Sequence, residues 1–107
     1  MANNQMFRQG DVLVERVKGK KAPKGAEAVP LDAGRVVLAY GELTGHAHAL
    51  PGELVSMYRW QGDVLIEVKA ATALRHEEHD PIPLGPGLYK VTRQREYRPE
   101  APVWVAD

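Results

Sequence analysis

Glycine and proline residues divide this chain into short segments, and their spacing restricts the folds that the chain can adopt. The sequence of 107 residues contains 10 Gly and 8 Pro, which separate short apolar runs rich in β-branched residues. No long window has the 3.6-residue periodicity of an amphipathic helix. The pattern therefore predicts an all-β fold, a small single-domain barrel or sandwich of about six to eight short strands.

The clearest strand signals are short runs that either alternate in polarity or are almost wholly apolar. They comprise residues 11–17, 35–40, 54–60, 64–68 and 88–97. Residues 18–34 are rich in Lys, Gly, Pro and Ala, which indicates a mobile loop. Two prolines interrupt residues 98–107, which we interpret as a tail. One domain over residues 1–107 accounts for the whole pattern.

One short segment occurs twice. Residues 9–15 and 61–67 both begin Gln-Gly-Asp-Val-Leu and differ at a single position. Gly-Asp followed by apolar β-formers is a common way to open a strand, and the flanking residues do not align. We therefore favour two equivalent turn-plus-strand units over an internal duplication.

Charge and cysteine content exclude several classes of function. The 14 basic and 14 acidic residues cancel, which argues against a dedicated nucleic-acid coat or a membrane-surface binder. The absence of cysteine excludes disulfide scaffolds, iron–sulfur ligation and thiol catalysis. Neither a signal peptide nor a bilayer-spanning apolar run is evident, so we expect a soluble cytoplasmic domain. Any metal chemistry must use histidine and carboxylate.

All four histidines fall into two close pairs. His46 and His48 are two residues apart, so their side chains point to the same side if the segment is a strand. On a helix they would diverge, because each residue turns the helix by about 100°. The small Ala47 and Ala49 would then occupy the opposite face.

The second pair, His76 and His79, encloses two glutamates in a His-Glu-Glu-His motif. Both rings can reach one point on a helical turn or in a compact loop. Asp80 and Pro81 follow directly, which favours a turn at a strand end. The motif is one residue too short for the zincin protease pattern.

Imidazole is the commonest side-chain metal ligand, and the four histidines form the main candidate site. If both pairs meet, His46, His48, His76 and His79 can surround one divalent transition metal, namely Zn, Fe, Ni, Mn or Cu. Four nearby glutamates can act as additional ligands, as partners of the ligands or as proton carriers, namely Glu42, Glu53, Glu77 and Glu78. The candidates for proton transfer in a metal-dependent enzyme acting on a small substrate are Glu53, Glu77 and Glu78.

Simpler interpretations of these residues stay open. His46 and His48 can be strand residues with satisfied hydrogen bonds. The His-Glu-Glu-His segment can be a solvated acidic turn whose carboxylates pair with Arg75. A chain of this type can also be a non-enzymatic module that forms homo-oligomers through its strand edges.

The predicted C-terminal strand supplies a third functional hypothesis. Alternation places Arg93, Arg95 and Tyr97 on one face, where arginine and tyrosine can stack on bases or bind phosphate. This arrangement would suit a nucleic-acid-binding barrel. Cross-strand ion pairs with Glu15 or Glu67 are the simpler explanation.

Several short motifs, in this order, resemble those of a family of small bacterial and phage proteins of no assigned activity. They are Thr-Gly-His-Ala-His at 44–48, His-Glu-Glu-His at 76–79, Pro-Gly-Leu-Tyr at 86–89, Gln-Arg-Glu-Tyr at 94–97 and Val-Ala-Asp at 105–107. The resemblance covers most of the chain from Gly41 onward and includes both histidine pairs. It implies no particular function.

Two further resemblances are weaker. Gly41, His46, His48 and Glu53 follow the order of the first cupin motif, which implies metal ligands on barrel strands. The Gly-to-His spacing is one residue short, and the second cupin motif is not matched. Residues 11–17, with the Lys/Gly-rich segment after them, are similar to the opening of the GroES-type small barrel. That likeness assigns no role to the histidines.

Overall fold

The computed structural model describes residues 5–41 and 46–93, and in these ranges the chain forms two antiparallel β-sheets and no helix. The strands are β1 (Met6–Gln9), β2 (Val12–Val17), β3 (Glu27–Val29), β4 (Arg35–Tyr40), β5 (Ala47–Pro51), β6 (Val55–Trp60), β7 (Asp63–Val68), β8 (Thr72–His76), β9 (His79–Leu84) and β10 (Gly87–Arg93). The all-β prediction is confirmed. The arrangement is sandwich-like and not a closed barrel.

The larger sheet has six strands in the order β1-β2-β10-β7-β6-β3. Two of its hairpins come from the repeated Gln-Gly-Asp segment, because Gly10 and Gly62 both lie in tight turns with positive φ. The predicted pair of turn-plus-strand units is therefore confirmed. The two segments nevertheless differ in environment, since Gln9 is buried and Gln61 is exposed.

The smaller sheet has four strands in the order β4-β5-β8-β9. It carries all four histidines on β5, β8 and β9 or directly beside them. A bulge in β4 shifts the pairing after Val37, and another in β9, opposite Arg75, shifts the pairing of β8 with β9. Both bulges lie close to the end of the sheet where the histidines cluster.

Apolar side chains from both sheets form one core. The fully buried members are Val12, Val14, Val36, Leu50, Val55, Ile66, Leu74, Leu84 and Tyr89. Burial of a side chain of this size contributes about 1.5–3 kcal/mol, so this shared layer holds the sheets together. Gln9 and His48 are the buried polar residues among those that the structure describes.

The structure has more strands than the six to eight that the sequence predicts. β9 contains Pro81 and Pro83, which the sequence pattern marks as breakers; an edge strand tolerates them because its outer side needs no ladder hydrogen bonds. β3 lies inside the predicted loop 18–34 and pairs with β6. The predicted tail 98–107 lies outside the described residues. In the part of the chain that the structure describes, no helix could cross a membrane.

Candidate metal centre

The two histidines of the second pair face each other across a tight hairpin. β8 ends at His76, β9 begins at His79, and Glu77 and Glu78 form the two-residue turn between them. His76 is the direct cross-strand partner of His79, so their side chains leave the same face of the sheet. The predicted turn at a strand end is confirmed.

The register of β5 against β8 brings the first pair to the same place. Ala49 pairs with Arg75, so the antiparallel register continues with His48 beside His76 and Ala47 beside Glu77. On β4, Ala39 pairs with His48. His48, His76 and His79 therefore form a cross-strand row on the face that also carries Leu50 and Leu74. The row extends the apolar inner face to one end of the sandwich.

The four imidazole rings are close together, with His76 at the centre. Its ring centroid lies 4.3 Å from that of His48, 4.8 Å from that of His79 and 5.6 Å from that of His46. His48 and His79 are 5.8 Å apart. The structure thus brings together all four histidines that the sequence nominates.

The two turn glutamates take different roles. The carboxylate of Glu77 accepts a hydrogen bond from the backbone N–H of Ala47 at 2.9 Å, and this bond holds the pKa of Glu77 below its usual value. Glu78 lies 3.7 Å from Nδ1 of His46. Neither carboxylate forms an ion pair with Arg75 among the described residues. The ion pair of the alternative interpretation is therefore not observed, although both glutamates are exposed, as a solvated turn requires.

One group within the cluster brings three possible ligand atoms close to one another. His46, His76 and Glu77 each offer a ligand atom, and these atoms all lie within 4.8 Å of one another. The group could hold a metal ion. Ligand atoms around a tetrahedral ion with bonds of about 2.0–2.1 Å are about 3.3 Å apart, so binding requires the side chains to move inward.

His48 is the most buried histidine, at 6% exposure. Its Nδ1 lies 2.8 Å from the side-chain oxygen of Gln9 on β1 of the other sheet. Burial, reinforced by neighbouring His76 and His79, lowers the pKa of His48 to about 4. The ring is consequently neutral near pH 7, the form that can ligate a metal.

Two glycines border the cluster. A Cβ on Gly10 would lie 3.0 Å from Nε2 of His79 and 3.5 Å from Nε2 of His48. A Cβ on Gly41 would lie 3.3 Å from Nε2 of His76 and would overlap Cβ of His46 at 2.8 Å. The absence of side chains at both positions makes room for the rings. The sequence pattern placed Gln9 and Gly10 in a turn-plus-strand unit and did not connect them with the histidines.

A pocket of about 540 Å³ is lined by all four histidines and also by Asp11, Glu78 and Arg93. His76 borders a second pocket, which Arg35, Arg75 and Pro81 line on the side of Ala47 and Ala49. His76 therefore separates a histidine-rich pocket from one that contains two arginines.

The other nominated residues lie elsewhere. Glu53 is exposed in the turn beyond the opposite end of β5 and lines neither of these pockets. Arg93 borders the histidine pocket, while Tyr89 and Val91 on the same strand face are buried. Arg93 pairs with Val12, whereas Glu15 lies opposite Lys90. Arg95, Tyr97 and Glu42 lie outside the described residues.

Fold and site together define a two-sheet antiparallel sandwich with a histidine–glutamate cluster at one end. The chain belongs to the family described as Domain of unknown function (DUF8820), whose sequence model matches residues 8–94. The match includes the four histidines, Gln9 and Glu77. It agrees with the expected membership of a family without assigned activity, and it does not test the cupin-like resemblance. Comparison with curated proteins and with solved structures finds no match.

Proposed function

We propose that this protein binds one divalent transition-metal ion at the β8–β9 turn. The observation that carries the proposal is the convergence of ligand atoms from His46, His76 and Glu77 within 4.8 Å. Imidazole nitrogens with one carboxylate suit Zn, Fe, Ni, Mn or Cu. His48 and His79 flank the central His76 and supply the remaining nitrogens of the proposed ligand set.

The roles of the two turn glutamates follow from their contacts. Glu77 is ionised and anchored by Ala47, which suits a metal ligand. Glu78 is exposed and belongs to the pocket lining, which suits a group that exchanges protons with solvent. If the protein is an enzyme, a bound metal with an open position would supply an activated water, and Glu78 is the proton-transfer candidate.

The lining of the second pocket, on the other side of His76, indicates which class of substrate the site would accept. Arg35 and Arg75 line it together with the apolar Leu50 and Pro51. Guanidinium groups recognise carboxylates and phosphates, and Arg75 forms no ion pair within the described ranges. These groups favour a small anionic substrate with an apolar part.

The decisive experiment is elemental analysis combined with native mass spectrometry on protein purified without a histidine tag. We expect about one metal ion per chain and its loss in the His76→Ala variant. The same measurement reports the number of subunits, and so addresses the alternative of a homo-oligomeric assembly module. A wild-type protein that stays metal-free at micromolar zinc, iron, nickel, manganese and copper would contradict the proposal.

A matched pair of glutamate variants sharpens the test. Glu77→Gln keeps an acceptor for the Ala47 N–H but removes the charged ligand, so zinc affinity should fall by about tenfold or more. Glu53→Gln makes the same chemical change in the turn beyond the other end of β5 and should leave zinc affinity unchanged. Equal effects of both substitutions would show that Glu77 is not a ligand.

A further inference from the structure

Gln9 connects the two sheets at the histidine cluster. It is the last residue of β1, at the edge of the six-stranded sheet, and only 2% of it is exposed. A buried side-chain amide is costly unless its donors and acceptor are all bonded. The partners of Gln9 lie on strands of the other sheet, which makes it a polar contact between the sheets.

The hydrogen bonds of Gln9 fix which end of its amide faces His48. Its Nε2 donates to the backbone carbonyl of Leu74 at 3.0 Å and to that of Asp80 at 2.9 Å. A flipped amide would place the side-chain oxygen of Gln9 against these two carbonyl oxygens, and neither of them can donate a hydrogen bond. The side-chain oxygen must therefore face Nδ1 of His48, at 2.8 Å.

This orientation determines where the proton of His48 resides. An amide oxygen only accepts, so Nδ1 of the neutral ring carries the hydrogen and Nε2 keeps its lone pair. The neighbouring His76 has the opposite arrangement, because the backbone N–H of Glu78 donates to its Nδ1 at 3.0 Å, which leaves the ring proton on Nε2. Ligation of a metal by His76 therefore requires that its bond to the Glu78 N–H be given up. Two rings whose centroids are 4.3 Å apart thus hold their protons on different nitrogens.

We infer that Gln9 is a positioning residue that holds His48 as the Nδ1–H tautomer and so presents the lone pair of Nε2 to the metal. The role of Nε2 as a metal ligand rests on the proposed function. The tautomer of His48 does not, because the hydrogen bonds that fix it are present without a metal. Outer partners of this kind change metal affinity by about 10–100-fold in known sites.

The first test measures the tautomer directly in metal-free protein. Nitrogen-15 NMR of the imidazoles in the presence of chelator, at about pH 7.5, should report Nδ1–H for His48 and Nε2–H for His76. Gln9→Met removes the acceptor while keeping a side chain of similar length, and should shift His48 toward the Nε2–H form. Gln61→Met changes the equivalent residue of the repeated segment and should leave both rings unaltered.

The second test measures zinc affinity. Gln9→Met should weaken zinc binding by about 10–100-fold, and Gln61→Met should have no effect. Gln9→Glu keeps an acceptor for Nδ1–H, and in this buried place its second oxygen can face the carbonyls of Leu74 and Asp80 only as the hydroxyl of the neutral acid, which donates to one of them. In that form it should preserve the tautomer and recover part of the affinity. It also allows a decision if Gln9→Met fails to fold, which circular dichroism would reveal.

The outcomes separate this inference from the proposed function. An Nε2–H signal for His48 in the wild type, or a Gln9→Met variant with wild-type tautomer and affinity, would overturn the role of Gln9 alone. A wild-type protein with the expected tautomers that binds no transition metal would overturn the metal site. If Gln9→Met changes both the tautomer of His48 and the zinc affinity, and Gln61→Met changes neither, the role of Gln9 and the metal site are both supported.

Discussion

At the scale of single residues, the two glycines of the repeated Gln-Gly-Asp segment offer a natural comparison. Gly10 and Gly62 both have positive φ, so replacing either by Ala strains the backbone by about 1 kcal/mol or more. A Cβ on Gly62 meets nothing within 4 Å, whereas one on Gly10 reaches His79 at 3.0 Å and Cε1 of His48 at 3.3 Å.

We therefore predict that both Gly10→Ala and Gly62→Ala lower stability, Gly10→Ala by more because its Cβ also crowds His79 and His48, and that only Gly10→Ala weakens metal binding. The first effect is measured by urea denaturation of the metal-free proteins, and the second by zinc titration. A Gly10→Ala variant that binds zinc like Gly62→Ala would show that the space beside Gly10 is not part of the site.

Tyr89 provides a prediction on pH. Its side chain is fully buried, and the removal of its phenol from water raises its pKa above 10. A group whose pKa is higher in the folded state contributes stability that is complete below the unfolded pKa and is lost as pH rises through the folded value. The contribution of Tyr89 should therefore disappear above about pH 10.

The measurement compares urea midpoints of the wild type and Tyr89→Phe between about pH 8 and pH 11. At the lower pH the variant should be less stable by about 1 kcal/mol, because the bonds of the phenol to Gly85 and Arg16 are lost. Above pH 10 the wild type should lose stability faster than the variant. Parallel curves across the whole range would contradict this account.

At the scale of elements, the β9–β10 connection depends on one glycine. Arg16 on β2 donates to the hydroxyl of Tyr89 at 2.8 Å and to the carbonyl of Pro86 at 3.2 Å, and its guanidinium lies over the Tyr89 ring. Gly87 has a φ of 150°, and a Cβ there would overlap the guanidinium. This turn therefore accepts only glycine without displacing Arg16.

We predict that Gly87→Ala destabilises the protein by about 2–3 kcal/mol, since it combines backbone strain with the loss of the Arg16 contacts. Gly85→Ala is the matched control, because its Cβ would lie 3.6 Å from the nearest Arg16 nitrogen, an ordinary contact. Chemical denaturation gives both values. A Gly85→Ala variant as unstable as Gly87→Ala would place the constraint in the loop as a whole.

The elements that the sequence predicts well are those whose signal is local. The predicted strand at Arg35–Tyr40 is observed with the same bounds, and residues 64–68 differ from β7 by one residue. β9 is missed because Pro81 and Pro83 are tolerated only by its edge position, a property of the sheet. β3 is missed because three residues carry little pattern of their own.

At the scale of the whole molecule, the site combines local and distant contributions. Spacing alone nominates the two histidine pairs, because each pair lies within a few residues of the chain. Gln9 and Gly10 escape prediction, since their relation to His48 arises only when the edge of one sheet meets the inner face of the other. Glu53 is the opposite case, a residue that the sequence nominates but the fold places elsewhere. It follows His46 and His48 in the order of the first cupin motif, yet it lies in the turn beyond the other end of β5.

This placement makes the proposed metal site depend on both sheets of the fold. The proposed ligands lie on or beside three strands of one sheet, and Gln9 connects them to the edge of the other. An ion that binds only the folded chain stabilises it by mass action, by about 2.7 kcal/mol at a free concentration one hundred times the Kd. In a domain of this size each kcal/mol raises Tm by about 4–8 °C.

We therefore predict that saturating zinc raises the Tm of the wild type by about 10 °C or more relative to the chelated protein. The shift should persist in Glu53→Gln and vanish in His76→Ala, because His76 is the ring that contacts the other three. Thermal melts followed by circular dichroism, with and without chelator, give the comparison. A His76→Ala variant that zinc stabilises as strongly as the wild type would mean that the ion binds elsewhere, and the cluster would then be a packed, hydrogen-bonded end of the sandwich without a metal.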